Sequence, residues 1–273
     1  MYNFIKLPVG RGCEIEFDII ERVYKKAEAS GDGGPFEAGL AIRLFIPRRG
    51  ELKKPRPAVV FFFGGGFETG SIEQFKPHSE RLASIGIAAA TAEYRIKSKH
   101  GTTPVESIRD AKDALCYVKR NADEFFIDPK RILVSGGSSG GYLAAACALL
   151  TGAEYDSGGV SEIPAALVLF NPLLDALNGI GKKMMGSLAA ELDLISKVRK
   201  NQPPALILHG EDDSVTPIEA SFVFQQKSRA LGAECEIISY PKRGHGFFNY
   251  GVEPDNGIYH ATLAELEKFC ARF

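Results

Sequence analysis

Ser138 lies in the run Val134-Ser135-Gly136-Gly137-Ser138-Ser139-Gly140-Gly141-Tyr142-Leu143-Ala144, where a β-like segment at 131–135 meets an Ala- and Leu-rich helical segment at 139–150 across a cluster of glycines. A serine hydroxyl becomes an effective nucleophile when it projects from a sharp strand-to-helix bend. Such a bend brings the flanking backbones too close for side chains two residues away. Gly136 and Gly140 meet that need around Ser138. The pattern also fits one residue later, with Gly137 and Gly141 around Ser139. Ser138 lies nearer the corner, which favours it as the nucleophile. Ser139 then opens the helix, where its free N–H and the partial positive charge of a helix N-terminus suit a developing oxyanion.

A nucleophilic serine needs a base, an acid that orients the base, and donors for the oxyanion. Three further loops carry those residue types. Phe63-Gly64-Gly65-Gly66-Phe67 follows the apolar run 58–63, and its glycines let backbone N–H groups turn toward a substrate oxygen unobstructed. His209-Gly210-Glu211-Asp212-Asp213-Ser214-Val215-Thr216-Pro217 is an acidic loop after a second apolar run, and Gly244-His245-Gly246-Phe247-Phe248 flanks an imidazole with small residues. His245 is the expected base. Asp213 is spaced from the next helix so that its carboxylate points at an imidazole, with Asp212 and Glu211 as rivals. His209 reads as a residue that fixes its loop, and as the alternative base. No Gly-Lys-Ser/Thr follows the glycine triplet, which disfavours a phosphate loop.

These loops need a frame that brings them to one edge. β-like runs at 13–20 and 40–46, joined by a polar stretch ending in Ser30–Pro35, suit an antiparallel start to a sheet. The continuous apolar run 58–63 is typical of a strand buried on both faces. Strands at 87–92, 131–135, 165–170, 205–209 and 234–240 then alternate with helices at 75–85, 105–121, 139–150, 218–231 and 259–273, and an irregular insert occupies 173–200. The expectation is a single α/β domain over 1–273, with an eight-stranded, mostly parallel sheet, helices on both faces and a small lid insert. Such sheets place their reactive loops at the carboxyl ends of the strands.

Composition sets the outer bounds. With 273 residues, 45% hydrophobic and 25% charged, the chain can bury one substantial core. A formal net charge of −1 offers no basic face for nucleic acid or anionic lipid. Five cysteines at scattered spacings read as reduced, buried thiols. Met1–Pro8 lacks the apolar core of a secretory signal and no apolar run is long enough to span a bilayer, so the expected location is cytoplasmic, with neither membrane nor nucleic acid as partner.

Jointly, Phe-Gly-Gly-Gly-Phe, Gly-Gly-Ser-Ser-Gly-Gly-Tyr-Leu-Ala, His-Gly-Glu-Asp-Asp-Ser-Val-Thr-Pro and Gly-His-Gly-Phe resemble the α/β-hydrolase superfamily. The resemblance is closest to the acetyl esterase and carboxylesterase branch related to hormone-sensitive lipase, and it runs from about Ala58 to Phe248. That family's elbow, Gly-Asp-Ser-Ala-Gly-Gly, aligns with Ser138, while Ala92-Glu93-Tyr94-Arg95 and Asp110 match positions that organise its site. The family's His before the glycines is Phe63 here, its elbow Asp is Gly137 and its elbow Ala is Ser139. Its large N-terminal cap has no counterpart beyond 1–12 and the 173–200 insert, which implies a small, open site.

The resemblance implies acyl transfer to water. Ser138, Asp213 and His245 would be the catalytic set, and Gly65, Gly66 and Ser139 N–H groups the oxyanion hole. Phe67, Glu68, Gln74, Phe247 and Phe248 are the candidate substrate contacts. No metal or organic cofactor is expected. The expected partner is a small-molecule ester with a short, acetyl-like acyl group, and an acetylated carbohydrate is the candidate alcohol side. An arylformamidase or small peptidase-like hydrolase would use the same residues, and a ligand receptor on this fold is the alternative from another class.

Overall fold

The computed structural model describes residues 15–31, 33–48, 54–151 and 160–273. Within them, eight strands form one sheet in the order β1-β2-β4-β3-β5-β6-β7-β8. They are β1 Phe17–Gly31, β2 Gly34–Pro47, β3 Arg56–Phe62, β4 Ala88–Ala92, β5 Ile127–Gly137, β6 Leu167–Phe170, β7 Ala205–Gly210 and β8 Cys235–Tyr240. β1 pairs antiparallel with β2, and β2 antiparallel with β4; every later pairing is parallel. The helices are α1 Lys76–Ser84, α2 Lys97–His100, α3 Pro104–Arg120, α4 Ser139–Leu149, α5 Gly179–Met185, α6 Ala189–Leu192, α7 Ile218–Ala230 and α8 Gly257–Cys270.

The strand chemistry explains the layering. In β3 the alternating residues Ala58, Val60 and Phe62 join a core with α3 and α4, whereas Val59 and Phe61 join a second core with α1 and α8. A strand apolar on both sides is stable only when both faces are covered. α4 is buried along its whole length, so small Ala residues replace the usual amphipathic pattern. α3 begins with a capping box in which Thr103 accepts from Val105 N–H while Glu106 accepts from Thr103 N–H, with Pro104 in the first turn.

The initial hairpin is longer than the polarity suggested. Residues 21–29, read as a polar connection, continue β1 and pair with β2, so the two strands form a ribbon with one solvated face. The polar residues there, among them Glu21, Lys26 and Glu28, line that exposed face. Cys13, the start of the first β-like run, the 1–12 stretch and Asp32 lie outside the described residues. The four described cysteines are buried free thiols. Burial pushes Cys147, Cys235 and Cys270 up to about 12, which keeps them protonated and unreactive. Among the described residues no helix is long and apolar enough to cross a membrane.

His78 on α1 is fully buried among Phe61, Phe75, Phe170 and Tyr259, with no hydrogen-bond partner on either ring nitrogen among the described residues. Desolvation lowers its pKa from 6.5 to about 3. The unfolded chain therefore binds this proton first, and stability is lost as pH falls below 6.5, down to about 3. At pH 5 the expected loss from this group is about 2 kcal/mol. Replacing His78 by Phe should flatten that part of the acid dependence; urea unfolding of both proteins between neutral pH and pH 5 measures the difference.

Candidate active site

β3 lies between β4 and β5, so the chain order reverses at β3/β5, where an open parallel sheet has its crevice. The Phe63–Phe67 loop leaves β3 at that point and Ser138 leaves β5 beside it. Ser138 has φ 56° and ψ −120°, a conformation a non-glycine residue holds at a cost of about 1–3 kcal/mol. The surrounding contacts over-determine it: Ser138 N–H donates to Phe170 O at 2.9 Å, and Ser138 O accepts from Tyr142 N–H at 3.0 Å and Leu173 N–H at 3.1 Å. A Cβ on Gly136 would strike the Gly140 and Phe62 carbonyls, and one on Gly140 the Phe62 and Phe63 carbonyls. Glycine at both positions is what lets the elbow pass against β3.

Of the two serines, Ser138 is half-buried and Ser139 fully buried. Ser139 Oγ accepts from Gly66 N–H at 2.9 Å. Tyr94 donates to Phe63 O at 2.7 Å, and its ring stacks on Phe63 at 4.2 Å. Phe63 thus packs its loop by stacking. The Gly66 amide, expected to face an oxyanion, is instead directed at the Ser139 hydroxyl. The Gly65 and Ser139 N–H groups make no such bond among the described residues.

In the acidic loop after β7, Asp213 is the carboxylate that contacts the imidazole. Asp213 Oδ2 accepts from His245 Nδ1–H at 2.8 Å, from Thr216 Oγ1–H at 3.0 Å and from Asn171 Nδ2–H. Oδ1 accepts from Val215 N–H at 2.8 Å and Thr216 N–H at 2.9 Å. Burial alone would raise this carboxyl, but the close approach of His209 and the bonds from His245 and Thr216 hold it far below the usual carboxylate range. Asp212 and Glu211 are exposed, and Glu211 accepts from Ser239 Oγ–H instead. His209 is buried; its Nε2–H donates to Thr216 O at 2.7 Å and Nδ1 accepts from Ser221 Oγ–H at 2.9 Å. Both its ring nitrogens are engaged by these bonds, which brace the loop.

The His245 side chain is about one-quarter exposed. Its loop reaches the elbow because Phe248 packs where a side chain on residue 137 would stand, the physical reason Gly replaces the family's elbow Asp. Among the described residues no hydrogen bond joins Ser138 Oγ to the His245 ring. Such bonds are often long in ligand-free sites and tighten around substrate.

The expected substrate contacts fare differently. Phe67, Phe247 and Phe248 are 3%, 4% and 2% exposed. Phe67 packs edge-on to Tyr142, Phe247 against Tyr240, and Phe248 between Phe75 and Phe170. All three are buried, and their rings pack against other aromatic side chains. Glu68 is exposed and pairs with Lys97 at 3.1 Å. Gln74 accepts from Gly64 N–H and donates to the Asn249 side chain, so both ends of its amide are engaged within the protein.

The insert supplies the cover. Met184 of α5 sits on Gly66, and Tyr142 donates to Leu192 O at 2.7 Å. A cavity of about 570 Å³ opens between the insert and the acidic loop, lined by Pro172, Leu173, Ile180, Val215, Thr216 and Pro217. A larger opening of about 860 Å³ beside Phe36, Arg95, His100 and Arg109 contains none of the expected catalytic residues. Arg95 is locked there by a bidentate pair with Asp110, at 2.8 and 2.9 Å. Asn171, Thr216 and Asn249 were not singled out from sequence; the only hint was their position just beyond strand ends or beside the imidazole.

A family model described as BD-FAE matches residues 44–165. The structure of Thermogutta terrifontis esterase 2 with propionate bound superposes with a TM-score of 0.81 at 32% identity, covering 95% of this chain and 94% of that one. The same esterase phosphonylated by sarin gives 0.82 at 30% identity, over 97% and 98%. Esterase LipC of Mycobacterium tuberculosis is 28% identical over 230 residues, 75% of this chain and 56% of its own length. The acetylxylan esterase of Xylanibacter ruminicola is 25% identical over 208 residues, 70% of this chain and 41% of its own length. The chain spans about half the length of the curated relatives it matches.

Proposed function

Because this chain belongs to the α/β-hydrolase carboxylesterases, we propose that it hydrolyses carboxylic esters through an acyl-enzyme on Ser138. The observation that carries the reading is the buried Asp213 carboxylate held 2.8 Å from His245 Nδ1, on the loop that packs against the strained Ser138 elbow. With Nδ1–H given to Asp213, Nε2 is the nitrogen left to act as base.

In the first half-reaction His245 Nε2 takes the Ser138 proton as Oγ bonds the carbonyl carbon. Asp213 stabilises the imidazolium without taking its proton. The tetrahedral oxyanion is held by the Gly65 and Ser139 N–H groups, with Gly66 as the third candidate donor; one such donor is worth about 3 kcal/mol. Collapse breaks the ester C–O bond, and His245 protonates the leaving alcohol. Water then attacks the acyl carbonyl, gives its proton to His245, and the acid departs as Ser138 is reprotonated. Protein groups and water serve every step.

A short acyl group is proposed. Support comes from the propionate-bound relative. An acetylated carbohydrate is the proposed source of the alcohol, a reading supported by the acetylxylan esterase relative. The test is kcat/KM on p-nitrophenyl esters from acetate to octanoate, with acetylated xylose and formylkynurenine alongside. The expected profile peaks at acetate to butyrate and falls by about tenfold or more at octanoate. A maximum at octanoate would refute the short-acyl reading, preference for formylkynurenine would make the protein an arylformamidase, and failure on all substrates would refute ester hydrolysis.

A further inference from the structure

The oxyanion loop and the imidazole loop leave strands that do not touch. β5, β6 and β7 lie between β3 and β8, so at about 4.8 Å per strand the two strands are about 19 Å apart in the sheet. No strand pairing can therefore set the distance between these loops. A chain of hydrogen bonds does so directly. Gly64 N–H donates to Gln74 Oε1 at 2.7 Å, Gln74 Nε2–H donates to Asn249 Oδ1 at 3.0 Å, and Asn249 Nδ2–H donates to Gly246 O at 2.9 Å.

The backbone ends fix the sense of this chain. Gly64 N–H can only donate, so Gln74 must present oxygen to it; Gly246 C=O can only accept, so Asn249 must present nitrogen. Each amide is then left with the group that the other requires, and neither can flip without opposing like dipoles. Both side chains are partly buried, which strengthens neutral bonds of this kind. Gln74 is itself anchored: it lies in the 3₁₀ turn Ile72–Phe75 capped by Ser71, and Phe75 stacks on Phe248 of the imidazole loop at 5.7 Å.

We propose that Gln74 and Asn249 are positioning residues, a two-amide clamp that holds the oxyanion donors and the His245 imidazole in one fixed relation. The proposal rests on the ester-hydrolysis reading. The proton leaves Ser138 for His245 in the same step that builds charge at the oxyanion, so the two loops must be correctly placed at the same moment. A misplacement of about 1 Å in such a site costs up to about 100-fold in rate.

Two measurements test the clamp, one without catalysis. Amide hydrogen exchange should show Gly64 N–H protected in the native protein and faster in Asn249→Ala, a residue far from it in sequence. Equal exchange would overturn the clamp even if the native protein hydrolysed no ester, which separates its failure from failure of the functional reading. In steady-state kinetics, Gln74→Leu and Asn249→Ala should each lower kcat by about 10- to 100-fold with KM changed less than about threefold. The double variant should be no slower than the slower single one. Gln74→Glu keeps the acceptor for Gly64 but loses the donor to Asn249, so it should be slowed like Asn249→Ala. Additive losses, or a Gln74→Glu protein with native kcat, would show that the two residues merely support their own loops and would overturn the proposal.

Discussion

Ser138→Ala is expected to lower kcat for a short-chain ester by about a million-fold, with KM little changed and the melting temperature preserved. The size follows from the chemistry removed. Without Oγ there is no acyl-enzyme, and what remains is water attack on an ester still held by the oxyanion donors. That residual catalysis is about 10³–10⁴ over solution. The fold should tolerate the change because Ala is smaller than Ser, and the backbone bonds that hold residue 138 at φ 56° are made by its N–H and C=O. Initial rates over a range of ester concentrations, paired with thermal melts, check both parts. Ser139→Ala is the informative partner: its hydroxyl is fully buried and accepts from Gly66 N–H, which places it away from an incoming ester. A large residual rate in Ser138→Ala that disappears in Ser139→Ala would reverse the register.

Asp213→Asn is expected to cost about 10⁴-fold in kcat. The Asp213 carboxylate accepts from His245, Thr216, Val215 and Asn171, and an amide cannot accept on both ends. Its NH₂ group would face either backbone donors or the imidazole. Facing the imidazole, it would force Nδ1 to accept and so move the ring proton to Nε2, the position that must be free to act as base. The loss should therefore fall on kcat across the pH range. Because hydrogen bonds hold Asp213 far below the normal carboxylate range, the acid limb of the native rate profile above pH 4 does not belong to this group. Steady-state rates between pH 5 and pH 9 for both proteins measure the effect. Asp212→Asn and Glu211→Gln, at exposed positions, should stay within a fewfold of the native rate.

The legible parts of this molecule were those in which one physical demand dominates. Parallel strands buried on both faces must be continuously apolar, so β3 and β7 stand out, whereas the β1 ribbon is polar on one side and hides half its length. The elbow is legible because backbone crowding at Gly136 and Gly140 admits no side chain. Phe247 and Phe248 were ambiguous by nature: an aromatic residue beside a loop histidine can face solvent or core, and Gly137 decides for the core by leaving room for Phe248. Asn171, Thr216, Gln74 and Asn249 carry no periodicity at all. Their meaning comes from partners such as Asn249, 175 positions from Gln74, and appears only when the loops are folded together.

The central claim is that Ser138 is the nucleophile, and stoichiometric labelling reads it directly. Treatment with an organophosphate such as paraoxon, followed by peptide mapping, should place one covalent phosphoryl group on Ser138, with ester hydrolysis lost in proportion to its incorporation. A label on Ser139 or elsewhere that accounts for the lost activity would contradict the account, as would full hydrolysis by protein modified quantitatively at Ser138.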